Sequence, residues 1–597
     1  MPSLEFVPST PPHGDFLLAT GTFRLAEDSS MAGFRQHLVG ESLASLHIRE
    51  DIAPPALGLA FGIWQKRGVM RAGVTPLYPG DLTKDGRLDD AVGQYAVISL
   101  SGGQHQASIA VSTDDFGLVP IFYFKGASGS LVSNRIHLIL EKLRQHGHPI
   151  TVNFPALYSR CFVDKSICMQ ATTAETIYDG IRMTLPWEHV EIDNRGLHLH
   201  GAPPEHAQLS MSEYNDLIVQ GAQEIRDNIR AALDSNAFPR VASTLTGGRD
   251  SRVIFAALAS LGQVSAVPFQ TRPLDDDDVN VATALVHAFG GRYDSMPSAG
   301  GDIPDAGTHL LTHRSVFMGQ YSDLKRTPKS APAPGLRLIG GCGETYRSFY
   351  SKQYSDALIR RSFDRQAVRE FLLAHSFWKI YSTEIFDQVE QILFTNLESL
   401  RGDTLGEKLE DHYFAFRNRL HFGTAGTYRN PVAPVYQPLV SPSLMRASRG
   451  LPLAVRLSGR VIYDVTATLS PEVAHFPYAG KPLTDFSSVP YHVDRTRGMS
   501  VKPFEPRPDL LVAASAAKRA AAVGRPAKTK ASGRPDVERL VESTLPMLRD
   551  AEGFNLLVTD KLASRVAWLR SSRSKFYRVW GSRVSAMGDA LEYARAR

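Results

Sequence analysis

The sequence predicts an α+β N-terminal half built on an antiparallel sandwich, followed by an α/β unit with a parallel sheet and helical additions. Two observations carry this prediction. Residues 15–200 hold a series of short β-type runs separated by Gly, Asp and Ser, as in strands joined by hairpins. Residues 240–343 instead alternate strand, helix, strand, helix, strand, the pattern of crossover connections and a parallel sheet. At 597 residues the chain exceeds what one core can serve, so two or three domains are expected.

In chain order, the β-type runs are Phe16–Phe23, Leu57–Ile63, Gln94–Leu100, Ala107–Val111, Pro120–Phe124, Gly129–Val132 and His189–Ile192. A long helical pattern then runs from Ser212, a hydroxyl side chain suited to an N-cap, toward Ala232. The alternating region gives strand Arg240–Leu245, helix Ser251–Leu261, strand Ser265–Gln270, helix Val279–Phe289 and strand Leu336–Ile339. Lys352–Ser470 reads as mostly helical. Repeated Pro, Ala, Lys and Arg over Lys502–Asp536 mark a basic flexible linker, and Val537–Ala594 a helical tail. The expected divisions are therefore 1–205, 206–500, 501–536 and 537–597. The basic run Arg565–Arg583, with Trp568, Tyr577 and Trp580, is either a docking surface for an acidic partner or a solvated helix face packed by its aromatics.

Composition removes several classes of function. A hydrophobic fraction of 43% and a charged fraction of 21% are those of an ordinary soluble protein. A formal charge of +5 over 597 residues is too small to predict a nucleic-acid partner. The three cysteines, Cys161, Cys168 and Cys342, make no disulfide framework and lack metal-site spacing. There is no apolar run of about 18 residues, so a cytoplasmic protein without a membrane partner is expected.

The most informative stretch is Val241–Val253, Val-Ala-Ser-Thr-Leu-Thr-Gly-Gly-Arg-Asp-Ser-Arg-Val. A strand that turns through two glycines into a helix N-terminus suits a phosphate: the backbone approaches closely, and amides and helix dipole favour negative charge. Thr246, Gly247, Gly248 and Ser251 are the expected cradle, with Asp250 beside them. A carboxylate next to a phosphate is repulsive unless a cation lies between, which points to Mg²⁺ bridging Asp250 to a polyphosphate. The Walker spacing is absent. The stretch resembles the Ser-Gly-Gly-x-Asp-Ser loop of the ATP-pyrophosphatase superfamily, with Thr246 in place of the first Ser. The simpler reading is an ordinary strand–helix turn.

A second stretch, Asp114-Asp-Phe-Gly-Leu-Val-Pro-Ile-Phe-Tyr123, resembles the Asp-x-Phe-Gly-x-x-Pro-Leu-Tyr-Tyr segment of the glutaminase domain of asparagine synthetases. Val132-Ser133-Asn134 stands where that family has Ala-Ser-Glu. The two motifs occur in the family's order, and the resemblance spans about residues 15–490. It implies an Ntn-hydrolase-like domain followed by an ATP-pyrophosphatase domain. The family's N-terminal Cys nucleophile has no counterpart in Met1-Pro2-Ser3, so the expected N-terminal domain is an inactive scaffold, as in β-lactam synthetases and lasso-peptide cyclases.

Further residues follow from the resemblance. Asp278 opens an Asp-x-x-x-Ala motif, or else ends a solvated acidic loop. Phe269, Gln270 and Thr271 end the second strand, where the family places adenine. Gly341-Cys-Gly-Glu344 resembles the family's metal-binding glycine loop, with Glu344 as the second Mg²⁺ ligand and Arg347 as a neutraliser of phosphate. A glycine turn ahead of a helix is the plain alternative. Lys481 in Pro471–Pro482 stands for the family's catalytic lysine, or is a surface lysine. Arg417 and Arg419 are weaker candidates for the acceptor side.

The expected activity is that of an ATP-dependent amide synthetase using Mg²⁺. A small-molecule or peptide carboxylate is activated as an acyl-adenylate and an amine captures it. A homodimer is compatible with this reading. Glutamine-dependent asparagine synthesis, a sulfur-transferring or tRNA-modifying pyrophosphatase, and a non-catalytic scaffold are the rival readings.

Overall fold

A computed structural model of the chain describes residues 15–21, 35–39, 44–48, 58–78, 80–83, 86–101, 108–160, 167, 169–205, 207–270, 276–293, 313–321, 335–350, 355–374, 383–424, 434–479, 586–591 and 593–594. In the N-terminal region these include β1 (Phe16–Ala19), β2 (Arg35–Val39), β3 (Ala44–Ile48), β4 (Gly58–Lys66), β5 (Val69–Leu77) and β6 (Ala91–Ser101). There follow β7 (Ser108–Thr113), β8 (Phe122–Gly126), β9 (Gly129–Ser133), β10 (Ile181–Met183), β11 (His189–Asp193) and β12 (Gly196–His200). They form two six-stranded antiparallel sheets, ordered β10-β8-β9-β1-β3-β2 and β12-β11-β7-β6-β4-β5. Alternate residues of both sheets, among them Phe16, Leu18, Phe61, Ile98, Val111, Val132 and Ile192, meet in one buried cluster. The sheets therefore pack face to face.

The opposite face of the first sheet is also covered. Leu17, Ala19, Phe122, Leu131 and Ile181 pack with helices α1 (Ile136–Gln145) and α2 (Phe154–Ser159), and with helical residues between 365 and 420. The same core includes Met587, Ala590 and Leu591. The final turns of the expected tail are thus helical, but they are built into the N-terminal core rather than standing apart from it.

Helix α3 (Met211–Leu233) leads into the second region. It begins one residue before the expected Ser212. Ser210 accepts from the Glu213 amide while the Glu213 side chain accepts from the Ser210 amide, and this reciprocal capping box fixes the start. Among the described residues four parallel strands follow: β13 (Val241–Thr244), β14 (Phe269–Gln270), β15 (Leu336–Leu338) and β16 (Val435–Tyr436), ordered β14-β13-β15-β16. Helices α4 (Asp250–Ser260) and α5 (Asp276–Ala288) follow β13 and β14. Both are shifted only slightly from expectation, whereas β14 keeps only the last two residues of the run read as a strand. The chain is mixed α/β, with antiparallel sheets and a parallel one, as expected. No helix among the described residues is long and apolar enough to cross a membrane.

Candidate functional site

The sheet order reverses at one point. From β13 the chain moves to β14 on one side, then returns to β15 on the other. In open α/β sheets such a reversal leaves a cleft at the carboxyl ends of the two diverging strands. The loop after β13 carries Thr246–Ser251, and the loop after β15 carries Gly341–Glu344. Two motifs nearly a hundred residues apart therefore face one another.

The first loop holds its own shape. The Thr246 amide donates to Ser251 Oγ at 3.0 Å, the two hydroxyls lie 3.2 Å apart, and the Gly248 amide donates to Thr246 Oγ1 at 3.2 Å. Thr246 and Ser251, expected as phosphate donors, are thus engaged in bracing the turn. No side chain caps the N-terminus of α4. Gly247 is needed for close approach: a Cβ there would collide with Ala479, whose amide donates to Gly247 O at 3.0 Å, and would lie 3.1 Å from Asp278 Oδ1. Buried Arg252 fastens the same strap by donating to the carbonyls of Phe476 and Pro477, with its guanidinium 3.6 Å from the Tyr478 ring centroid. Burial pulls that guanidinium down to about 10.

The charged centre is built by Asp250, Arg347 and Glu344. Arg347 Nε and Nη2 donate to the two oxygens of Asp250 at 3.0 and 2.7 Å. The same Nη2 lies 3.6 Å from Glu344 Oε1, and Tyr413 donates to Glu344 Oε2 at 2.8 Å. Burial and the neighbouring Asp250 push the Glu344 carboxyl up. Burial lowers the Arg347 guanidinium, but Asp250 and then Glu344 outweigh it and hold the group more firmly protonated than usual. Gly343 permits this contact, because a Cβ there would lie 2.7 Å from Asp250 Cβ. Gly341 faces Gln437 and Phe422 instead, so its role here is packing.

These residues do not fit the expected Mg²⁺ shared between Asp250 and Glu344. Both Asp250 oxygens accept from Arg347, one Glu344 oxygen accepts from Tyr413, and the guanidinium lies between the two carboxylates. Mg²⁺ is ordinarily held by one or two carboxylates with waters and phosphate oxygens completing its shell, and here a cationic guanidinium already contacts both carboxylates. Arg347, expected to neutralise phosphate, neutralises Asp250 in this structure.

Lys481 and Thr271 lie outside the described residues, as do Cys161 and Cys168. Cys342 is buried, left-handed at φ 69°, and donates to Gln437 Oε1 at 2.9 Å, so it is a packed thiol. Asp114, from the second motif, is structural. Its carboxylate accepts from the amides of Phe116 and Leu118 at 3.0 Å and so closes the turn, while burial pushes its carboxyl up to about 7.

Sequence reasoning named Arg417 and Arg419 but missed Tyr413 and the partners Gln170, Tyr321 and His421. The chain after Leu405–His412 continues as wide π-helical turns, Tyr413–Gly423. From these turns Arg417 donates to Gln170 Oε1 and to Tyr321 Oη, both at 3.0 Å, and Tyr321 Oη lies 2.6 Å from His421 Nδ1. Arg419 instead donates to the carbonyls of Gly117 and Thr184, which ties the two regions together.

No family model matches the sequence, and a search of curated proteins finds no match. Among solved structures, glutamine phosphoribosylpyrophosphate amidotransferase from B. subtilis complexed with ADP and GMP is similar over 57% of this chain and 72% of that one. Identity is 10% and the TM-score 0.16, too low for the likeness to assign a fold or an activity.

Proposed function

We propose that the chain is an asparagine-synthetase-like amide synthetase, with an Ntn-like N-terminal domain and an ATP-pyrophosphatase second domain. One observation carries the reading: the Thr246–Ser251 turn and the Glu344 loop converge at the strand-order reversal of the parallel sheet. A carboxylate oxygen attacks the α-phosphorus of ATP, the bond to the bridging oxygen breaks, and pyrophosphate leaves with the electron pair toward the uncapped N-terminus of α4. A neutral amine then attacks the acyl carbon of the mixed anhydride, the acyl–oxygen bond breaks with its electron pair leaving on AMP, and the nitrogen gives up a proton to solvent. The protein's contribution is positioning and electrostatic stabilisation of the departing charge. Lys481, two residues on in sequence from Ala479, is the lysine that the family resemblance assigns to this reaction.

Substrate-dependent exchange of radiolabelled pyrophosphate into ATP tests the reading across a broad panel of acids. Asp250→Ala removes the anchor of Arg347 and is expected to lower exchange at least about 100-fold. A flat response to every acid would instead support a non-catalytic scaffold.

A further inference from the structure

We propose that Arg347 is the resident cation of this site: its guanidinium stands between Asp250 and Glu344 where a divalent metal would otherwise sit, so the protein receives a polyphosphate without ligating a metal through Asp250. This rests on the polyphosphate reading of the loop and specifies how its charge is balanced. Asp250 and Glu344 would bring two negative charges to a pocket meant for an anion, and some cation must offset them. A planar guanidinium does so permanently and matches a carboxylate with two parallel hydrogen bonds.

Three details show that the contact is built rather than casual. The Arg347 and Asp250 side chains are each 16% exposed and Glu344 is 23% exposed, so solvent screens the group only in part. Tyr413 fixes the far oxygen of Glu344 from a different part of the chain. Gly343 removes the side chain that would force the two loops apart. A metal bound to Asp250 would place a dication directly beside the Arg347 guanidinium, which both Asp250 oxygens already hold.

Manganese alone is the probe, read by electron paramagnetic resonance on the full-length protein. Wild type is expected to show no bound Mn²⁺ that Asp250→Asn removes. Arg347→Ala leaves the two carboxylates without their cation and is expected to create a Mn²⁺ site, which the Arg347→Ala/Asp250→Asn double variant loses. Arg347→Gln, which keeps polar volume without charge, is the second variant should alanine impair folding. In parallel, calorimetric binding of inorganic pyrophosphate to wild type should change by less than about threefold when EDTA replaces metal, whereas Arg347→Ala in EDTA should bind about 30-fold more weakly. A wild-type Mn²⁺ signal abolished by Asp250→Asn would overturn the proposal. So would folded Arg347 variants that gain no such signal. Failure of both pyrophosphate and ATP to bind under any condition would count against the ligase reading, and the manganese measurement would still decide the placement of Arg347.

Discussion

Asp589→Ala is expected to destabilise the protein by about 3 kcal/mol and to release the C-terminal helix from the N-terminal core. Asp589 is 3% exposed and accepts from Arg314 in a two-pronged pair, Nη2 to Oδ1 at 2.7 Å and Nε to Oδ2 at 3.2 Å. Removing the carboxylate takes the counter-ion from a guanidinium whose side chain is only 22% exposed. Around the pair, Tyr178 donates to Ala590 O at 3.3 Å, Arg144 donates to Tyr593 O at 2.6 Å, and Met587 and Leu591 are buried. The described helical residues here, 586–591 and 593–594, dock through these contacts, and losing the pair weakens the attachment. Urea unfolding gives the energy, and limited proteolysis reports release of the C-terminus. The Arg314→Met/Asp589→Leu double variant is expected to recover most of the loss, because an apolar pair needs no counter-ion. A single variant within 1 kcal/mol of wild type, by the scale of ordinary surface changes, would show that the pair does not hold the helix.

That helix illustrates what a sequence reveals and what it withholds. Met587, Ala590, Leu591 and Ala594 recur at helical spacing, so an amphipathic helix is legible locally. Its partner Arg314 is 275 residues away, and no local pattern encodes that meeting. The same holds at the candidate site. The Thr246–Ser251 turn announces itself through glycines and hydroxyls, but the fork from Arg347 to Asp250 spans 97 residues and emerges only when β13 and β15 become neighbours. Carboxylates read as metal ligands in isolation turned out to share a guanidinium.

Some local features went unread for physical reasons. Strand β5 is half exposed and carries Arg71 and Gly73, so it lacks the apolar alternation of a buried strand. It is nonetheless set by the two-residue turn Arg67–Gly68, both at positive φ, which pairs Lys66 with Val69. Asn-Gly or Asp-Gly would have signalled that hairpin, whereas Arg-Gly does not. The start of α3 was legible: Ser210 has Glu213 three residues on, whereas Ser212 is followed at that spacing by Asn215, which is no capping-box partner.

The second large effect concerns acid stability and centres on His412. The residue is fully buried where the helix Leu405–His412 passes into the π-helical turns that carry Tyr413 and Arg417. Its Nε2–H donates to Thr172 O at 2.8 Å, and Nδ1 is buried without a hydrogen-bond partner. A proton on Nδ1 would add both a charge and an unpaired donor, so burial, only partly offset by the Thr172 carbonyl, holds the imidazole down to about 4. The unfolded chain binds that proton near pH 6.5, so it takes up protons first as pH falls. The stabilisation from neutral His412 is therefore complete above about pH 6.5 and is lost progressively as pH falls toward about 4, reaching roughly 3 kcal/mol in all. His412→Gln retains a donor near the Nε2 position and cannot titrate. Urea unfolding at pH 7 and pH 5 should show wild type losing about 2 kcal/mol more than the variant between those values. Parallel losses in the two proteins would mean that His412 accepts its proton in place, and that the turn holding Tyr413 against Glu344 tolerates the charge.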